Sequence, residues 1–489
     1  MNYLTVDVLD SGALQGSGPL YNILQAQVTT ELSKAGQVAI TVPATDTRAI
    51  ALLSNGLELH LKTEFNTVAR GLLQSLSVLQ GDVPAYQLTG LDLLGELNYL
   101  NTGYNRVYNK VATSAAIIGT DATATSLLGG TGWTQGTVTI DVDATPHTSN
   151  FNGATRLAAL IQLAKEIGHH FRQGATAREL DFGIFGADSG IRIINVPNAG
   201  AQLPRSTDQA YVGTLTVLTI SADIENKIFP LGQTGFDLRY CDTTNGTTAI
   251  SDIKCEANQG PTGYTTTTDD STSGAIVPCT ATTGFIVGAE VFIGDADDWT
   301  QDHEVGIIES ISAGVSITFT ADVLNSYAAA VDVIQNPQFY ITDATSVAAN
   351  GTREGCPVFG WIKSFQGNAD ADLEQQAQEA LYLTSQAHLL RYKDAYESYE
   401  LGNIYGLPLD LLVGQKVKVR FQGSTGVFGG TSYLNVNDDF YVMKITRTFS
   451  ANSGPLGICK LAVANVSRPM PSNMNVLMFN SITGRWVTV

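Results

Sequence analysis

The chain is 489 residues long, and at about 150 residues per domain that is room for roughly three separately cored domains. Hydrophobic residues make up 44% and charged residues only 15%, with 48 glycines, a balance that favours many short strands and turns over long solvated helices. Forty-six acidic against 27 basic side chains leave a formal charge of -19, which argues against general affinity for phosphate backbones or anionic lipid, while an acidic wall suits a conduit that DNA must traverse without being held.

The first basic residue is Lys34, so the positive n-region of a signal peptide is not expected, and no apolar run reaches the ~18 residues of a membrane span. Synthesis in a cytoplasm is therefore expected. In Gly56-Leu57-Glu58-Leu59-His60-Leu61-Lys62 apolar and polar residues alternate strictly, which places three leucines on one face of a half-buried strand. Val68 to Leu79 predicts a second strand, and the turn Gly81-Asp82-Val83-Pro84 leads to a third through Tyr86 to Leu88, making a small meander. A more helical region runs from about Tyr104 to Ala201. In it Leu157, Leu160, Ile161, Ala164, Ile167 and Phe171 recur at helical spacing, with Arg156, Gln162, Lys165, Glu166 and His169 on the opposite face, so the segment predicts an amphipathic helix packed on a sheet that includes Glu179 to Phe185.

From Thr265 to Gln335 the composition shifts to Thr, Asp, Ser and Ala, with strands such as Glu290-Val291-Phe292-Ile293 and Val315-Ser316-Ile317-Thr318-Phe319, and reads as an inserted β module. A long helix follows, capped near Asn368 or Asp370 and carrying Leu373, Ala377, Ala380, Leu381 and Thr384 on one side. Near the C-terminus Leu411-Leu412-Val413-Gly414 precedes the alternating strand Lys416 to Phe421, then a long strand from Phe440 to Phe449, the turn Asn452-Ser453-Gly454-Pro455 and a strand from Cys459 to Val463. The same order of features occurs in the first hundred residues, so the pattern predicts a duplicated β-barrel.

Catalytic constellations are hard to assemble from this sequence. Gly-x-Ser-x-Gly is absent, since Gly186-Ala187-Asp188-Ser189-Gly190 has the wrong spacing, and no Ser, His and acid triad can be named. Cys241, Cys255, Cys279, Cys356 and Cys459 show no Cys-x-x-Cys; an odd count leaves at least one thiol free, and all five are expected to act as buried small hydrophobes. Glu166-x-x-His169 has the spacing of a di-iron carboxylate motif without its second copy, so His169 and His170 are expected at a solvated helix end. His303-Glu304 begins like a zinc-protease motif, but Ile307 stands where the second histidine is required. Asp295, Asp297, Asp298, Asp302 and Glu304 could offer oxygen ligands to calcium, yet a solvated turn between strands accounts for them. Gly129-Gly130-Thr131-Gly132 lacks the lysine of a phosphate loop and reads as a helix end turning into a strand at Trp133. No cofactor, metal or catalytic residue is expected.

Several stretches resemble the tail-hub or tail-associated structural proteins of siphophages, related to the hub of contractile-tail baseplates. Ser33 to Pro43 and Tyr86 to Leu94 are similar to that family's opening barrel, Leu127 to Thr134 and the helix Arg156 to Phe171 to its α/β domain, and Thr283 to Ile293 to a small β module of phage structural proteins. Gly406-Leu407-Pro408, Val413 to Val417 and Asp438-Asp439-Phe440-Tyr441-Val442 resemble its second barrel. The resemblance implies a β-rich, multidomain α+β protein with two similar β-barrel hub domains, an α/β domain between them and a small inserted β module. The implied boundaries are a first barrel over 1–103 completed by about 202–250, an α/β domain over 104–201, a connecting domain with the long helix over 251–264 and 336–400, the inserted module over 265–335, a second barrel over 401–470 and a tail over 471–489.

It further implies a non-enzymatic homotrimer at the tail tip of a virion, with two barrels per subunit adapting a six-fold tube to a three-fold tip. The partners implied are the distal-tail or tail-tube ring, the tape measure protein and tail fibres or receptor-binding proteins, with DNA only in passage. With Val489 coming soon after the second barrel, no appended enzyme is expected. Two alternatives stay open: a tip enzyme that cleaves the cell wall, and a receptor-binding adhesin using the inserted module.

Overall fold

The alternating segments build most of the molecule into antiparallel sheet. The computed structural model describes residues 4–15, 19–46, 57–63, 66–81, 84–104, 106–139, 147–151, 153–195, 209–220, 224–233, 235–242, 244–245, 248–257, 263–268, 274–363, 371–422, 435–450, 453, 455–465, 477–480 and 485–488. The largest sheet has fourteen strands, and apart from the two-residue strand Ala13–Leu14, which pairs with Leu4–Asp10, they fall into two sets. The first comprises β1 (Leu4–Asp10), β2 (Gln25–Glu31), β3 (Lys34–Pro43), β4 (Glu58–Thr63), β5 (Thr67–Leu79) and β6 (Ala85–Asp92), paired in the order β1, β4, β5, β6, β3, β2. A bridge between Val6 and Leu20, just before β2, brings the pairing back to β1. Inward-facing residues at period two, including Val6, Ile40, Leu59, Leu61 and Leu88, fill this circuit.

The second set comprises β7 (Asp188–Asn195), β8 (Gln209–Val212), β9 (Thr214–Ile220), β10 (Tyr396–Ile404), β11 (Lys416–Gln422), β12 (Asn435–Ser450) and β13 (Ile458–Ala464). Its pairing order is β7, β11, β12, β13, β10, β9, and β8, which runs into β9, pairs with β7 and completes the circuit. The two sets run through the chain in the same order and with the same neighbours. Leu59 and Leu61 in β4 correspond to Val417 and Val419 in β11, Leu73 to Val442, and Leu88 to Leu461, and every one of these side chains is buried. Each long strand also carries one extra residue at the same place, Gln74 in β5 and Met443 in β12. They differ in two respects. β1 runs antiparallel to β4 whereas β7 runs parallel to β11, and the tight link from β2 to β3 at Leu32-Ser33 is replaced between β9 and β10 by residues 221–395.

Residues 202–250 were expected to complete the first unit, but β8 and β9 pair in the second, because their hydrogen-bonding edges meet β7 and β10. For the same reason β7, placed by sequence in the 104–201 region, belongs by pairing with β11. The region between the units holds small sheets, Arg106–Val111 with His147–Phe151 and Thr134–Thr139 with Glu179–Gly183 and His170–Gln173, around the α-helix α1 (Arg156–Glu166). Thr155 caps α1 by accepting from the Ala158 amide. The helix stops five residues before Phe171, where Gly168 takes φ 72°, so Phe171 reaches the core from a strand instead of from the helix. The glycine-rich stretch 129–132 follows a series of turns and not a helix end; Gly130 and Gly132 have positive φ and the Gly132 amide donates to Asp121 at 2.9 Å.

In the 221–395 segment, strands Ile253–Ala257 and Pro337–Thr342 pair with each other, and between them residues 264–335 form a separate six-stranded antiparallel sheet over its own core. The helix α2 (Ala371–Tyr392) buries Ala377, Ala380, Leu381 and Thr384 as the pattern predicts. It also buries Gln378, Glu379 and Ser385, since sheet and α1 pack on several of its sides. The side chain of Leu373, the expected caps Asn368 and Asp370, turn residues Asp82, Val83, Asn452 and Gly454, and residues 466–476 lie outside what is described.

Candidate functional site

Where the two sets meet, β2 pairs on one side with β3 and on the other with the second half of β12, from Gln25 opposite Ser450 to Glu31 opposite Lys444. β12 has sixteen residues, enough for its first half to pair with β11 and its second half with β2 along one edge. The seam exchanges side chains between the cores: Phe449 is fully buried in the first set, and Leu32 packs in the second. Thr29 and Thr446 stand opposite each other with hydroxyls 3.3 Å apart, and Glu31 binds Lys34 at 2.5 Å with Lys444 at 3.7 Å.

Polar groups lock this seam from beneath. The buried guanidinium of Arg447 donates to the carbonyls of Leu407 (2.9 Å), Pro408 (2.8 Å) and Leu456 (2.6 Å), and burial lowers its pKa from the ordinary arginine value. Arg172, from the intervening region, donates to Asp181 at 3.1 Å and to the Val413 carbonyl at 2.7 Å, and stacks over Phe185. Ser33 donates its amide to the Phe171 carbonyl and accepts the Phe171 amide on its hydroxyl, so the β2 to β3 turn is tied to the same region. A cavity of about 120 Å³ remains here, lined by Val28, Glu31, Asp92, Arg172, Leu411 and Arg447 among others.

Asp92, at the end of β6, accepts the Gly36 amide at 2.6 Å. At the corresponding place in the second set Asn465, one residue beyond β13, accepts the Glu397 amide at 2.9 Å. The two sets thus share a side-chain cap as well as a strand order. The chemistry differs. Asn465 also donates to the Ala395 carbonyl at 2.9 Å, whereas burial pushes the Asp92 carboxyl up to about 6 against the partial pull of the Gly36, Gly95 and Leu94 amides.

The residues weighed in the sequence for catalysis are scattered by the fold. His169 and His170, expected at a solvated helix end, are both buried because the chain turns inward at Gly168; His169 Nδ1 lies 2.7 Å from the Ile167 carbonyl, and His170 Nδ1 lies 3.1 Å from the Ser33 hydroxyl. Arg156 and Glu166, expected on a polar face, are buried as well. Glu166 accepts from Ser149 (2.6 Å), Gln162 (2.7 Å) and His147 (2.9 Å), a constellation the sequence reading missed although His147 and Ser149 alternate on one strand. The serine and histidine are parallel donors to the same carboxylate oxygen, so the hydroxyl is not presented to the imidazole as a nucleophile would be.

The acidic cluster behaves as a turn. Asp295 accepts the amides of Asp297 and Asp298, Asp297 pairs with Lys254, and Glu304 accepts from Leu324, Asn325 and Tyr327. His303 stacks on Phe292 and packs tilted against Trp299, and burial lowers its pKa. Four cysteines are buried, but Cys356 is exposed, because it follows the short edge strand Glu354–Gly355. Among the described residues no group of three or more His, Cys, Asp or Glu is placed to hold a metal ion, and no helix is long and apolar enough to cross a membrane.

No protein-family profile matches the sequence, and no curated protein matches it. Solved structures similar to the chain include the 43 kDa tail protein of prophage MuSo2 from Shewanella oneidensis, with 10% identity, TM-score 0.46 and coverage of 94% of this chain and 98% of that one. A tail protein from Neisseria meningitidis MC58 shows 11% identity and TM-score 0.46, covering 94% and 96%. Prophage tail protein gp18 from Listeria monocytogenes EGD-e shows 9% identity and TM-score 0.45, covering 96% and 95%.

Proposed function

We propose that the chain is a structural hub protein of a phage tail, that its two strand sets are like β-barrels, and that three copies form a ring presenting six near-equivalent barrels. The observation that carries this reading is the correspondence between β1–β6 and the six strands β7 and β9–β13. Chain order, neighbours, buried positions, the extra residue at Gln74 and Met443, and the Asx cap on Gly36 and Glu397 all coincide. Two like surfaces in one polypeptide are what a three-fold assembly needs in order to meet a six-fold tube.

In this reading the ring sits at the tail tip of the virion, docks on the distal-tail or tail-tube ring, and holds the tape measure and fibre proteins. DNA passes without being gripped, in keeping with the net charge of -19. The proposed parts are the first barrel, the region around α1, the second barrel with β7 to β9 added to 396–465, and an appended body over 221–395 that carries the 264–335 module.

Mass photometry of the purified full-length chain tests the reading. A species at three times the 51.9 kDa chain mass, ring-shaped in negative stain, is expected. A monomer at every concentration, or a dimer, would refute it.

A further inference from the structure

The fold repeats its strands but, among the described residues, completes one of the two seams those strands imply. The seam that exists joins β2 of the first set to the second half of β12. By the correspondence above, β9 holds the place of β2, and β5 the place of β12. In the described residues β9 pairs with β10 alone, while the strand Leu477–Asn480 comes alongside it without pairing. On β5, residues Thr67 to Leu72 pair with β4, and beyond Leu73 no described strand pairs on that side. The uncovered stretch carries exposed apolar side chains, Val78 at 57% and Leu79 at 41%, beside the exposed polar Gln74, Ser75 and Ser77. Exposed apolar side chains on an unpaired strand edge are an invitation to strand addition that a solitary chain ordinarily avoids.

We propose that β9 of one copy pairs antiparallel with the second half of β5 of the next, repeating between chains the seam that β2 and β12 make within one. This rests on the ring reading and supplies its contact. The register follows from the repeat. Ala26 and Leu215 are placed alike, because each pairs with a residue, Ile40 or Leu401, whose own partner is Leu88 or Leu461. The extra residues Gln74 and Met443 align β5 with β12. Thr29 opposite Thr446 then becomes Leu218 opposite Ser77, and Val28 opposite Arg447 becomes Val217 opposite Val78. Thr216 faces Leu79, Thr219 faces Leu76, and Ile220 faces Ser75. The seam is head-to-tail, so it either closes or polymerises, and closure at six barrels is closure at three chains.

Disulfide crosslinking of the full-length chain reads the register directly. On a Cys356→Ser background, Ser77→Cys with Leu218→Cys is expected to give covalent dimers and trimers and nothing larger, because the template hydroxyls at those positions are 3.3 Å apart. Ser77→Cys with Val217→Cys puts the thiols on opposite faces and is expected to stay at background. Thr29→Cys with Thr446→Cys is the control that closes within one chain. Val78→Lys, at an exposed position, is expected to dissociate the trimer while leaving the thermal midpoint of the monomer in place. If the particle is trimeric but the Leu218 pair crosslinks no better than the slipped pair, this seam is wrong and the ring reading survives. Crosslinking of Leu218→Cys and Ser77→Cys only within a chain overturns the seam as well. If the chain is monomeric throughout, both fall.

Discussion

Asp92 offers a sharp test of the internal repeat, because the second set solves the same capping problem with Asn465. The carboxyl is 7% exposed, its Oδ2 accepts the Gly36 amide, and its Oδ1 is buried beside the seam cavity. Burial raises its pKa from the ordinary 3.8 to about 6. The folded state therefore holds the proton more tightly than the unfolded chain, so the group's contribution is complete below pH 4 and is lost as pH rises through 6. The loss at pH 7 is about 3 kcal/mol, from roughly two pKa units at 1.36 kcal/mol each. Asp92→Asn replaces the acid with the neutral amide already used at 465, so it is expected to leave stability near that of the parent at pH 4 and to raise it by up to about 3 kcal/mol at pH 7.5. Thermal unfolding of both proteins from pH 4 to 8 measures this as a midpoint difference that opens between pH 4 and 6.5 and then levels at several degrees. Parallel curves, or a variant that is less stable at pH 7.5 than at pH 4 relative to the parent, would show that the carboxylate is held as an ion and that the neutral cap is not equivalent.

Gly36→Ala is expected to destabilise the first set by about 1–3 kcal/mol, because an added Cβ would lie 2.0 Å from the Thr29 carbonyl oxygen and 2.7 Å from the Asp92 carboxylate; urea unfolding reads the loss. Phe449→Ala removes the anchor that the second set lends to the first and is expected to cost about 3–5 kcal/mol in the same assay, with the two sets then unfolding in separate steps. Arg447→Met strands three carbonyls, that of Leu407 buried and those of Pro408 and Leu456 partly so, and is expected to cost about 3 kcal/mol, with little change from pH 5 to 9 because the guanidinium does not titrate there. Glu166→Ala leaves His147 and Ser149 without their shared acceptor and is expected to cost about 3 kcal/mol, read by chemical denaturation.

Period-two alternation made β4, β5, β11 and β12 legible, since a strand with one buried face writes that burial every second residue. The order of features around Leu59 and Val419 was legible for the same reason. The misreadings share a cause: a helix or strand pattern shows which residues are apolar, not what covers the polar ones. The polar face of α1 is covered, with Glu166 capped by the His147–Phe151 strand and Arg391 of α2 donating to the carbonyls of Ala164 and His169. Long-range pairing was invisible. Nothing local in Gln25 to Glu31 points to Lys444 to Ser450 as its partner, or in Gln209 to Ile220 to the second set over the first. Such pairings are fixed by edges that exist only once the sheets have formed.

The two seams in the proposed ring are alike in pattern and unequal in strength. Phe449 and Leu32 cross the internal seam into the opposite core, and the place of Phe449 falls in the external seam to Gln80. A glutamine cannot supply the burial of a phenylalanine, which amounts to about 1.5–3 kcal/mol. The external seam must then draw on backbone pairing and on closure, because in a complete ring each copy is held at both ends whereas in an open pair it is held at one. A chain built this way would stay unassembled at low concentration and pass to trimers without a long-lived dimer, so the dimer population across a dilution series distinguishes a closing ring from a simple pairwise contact.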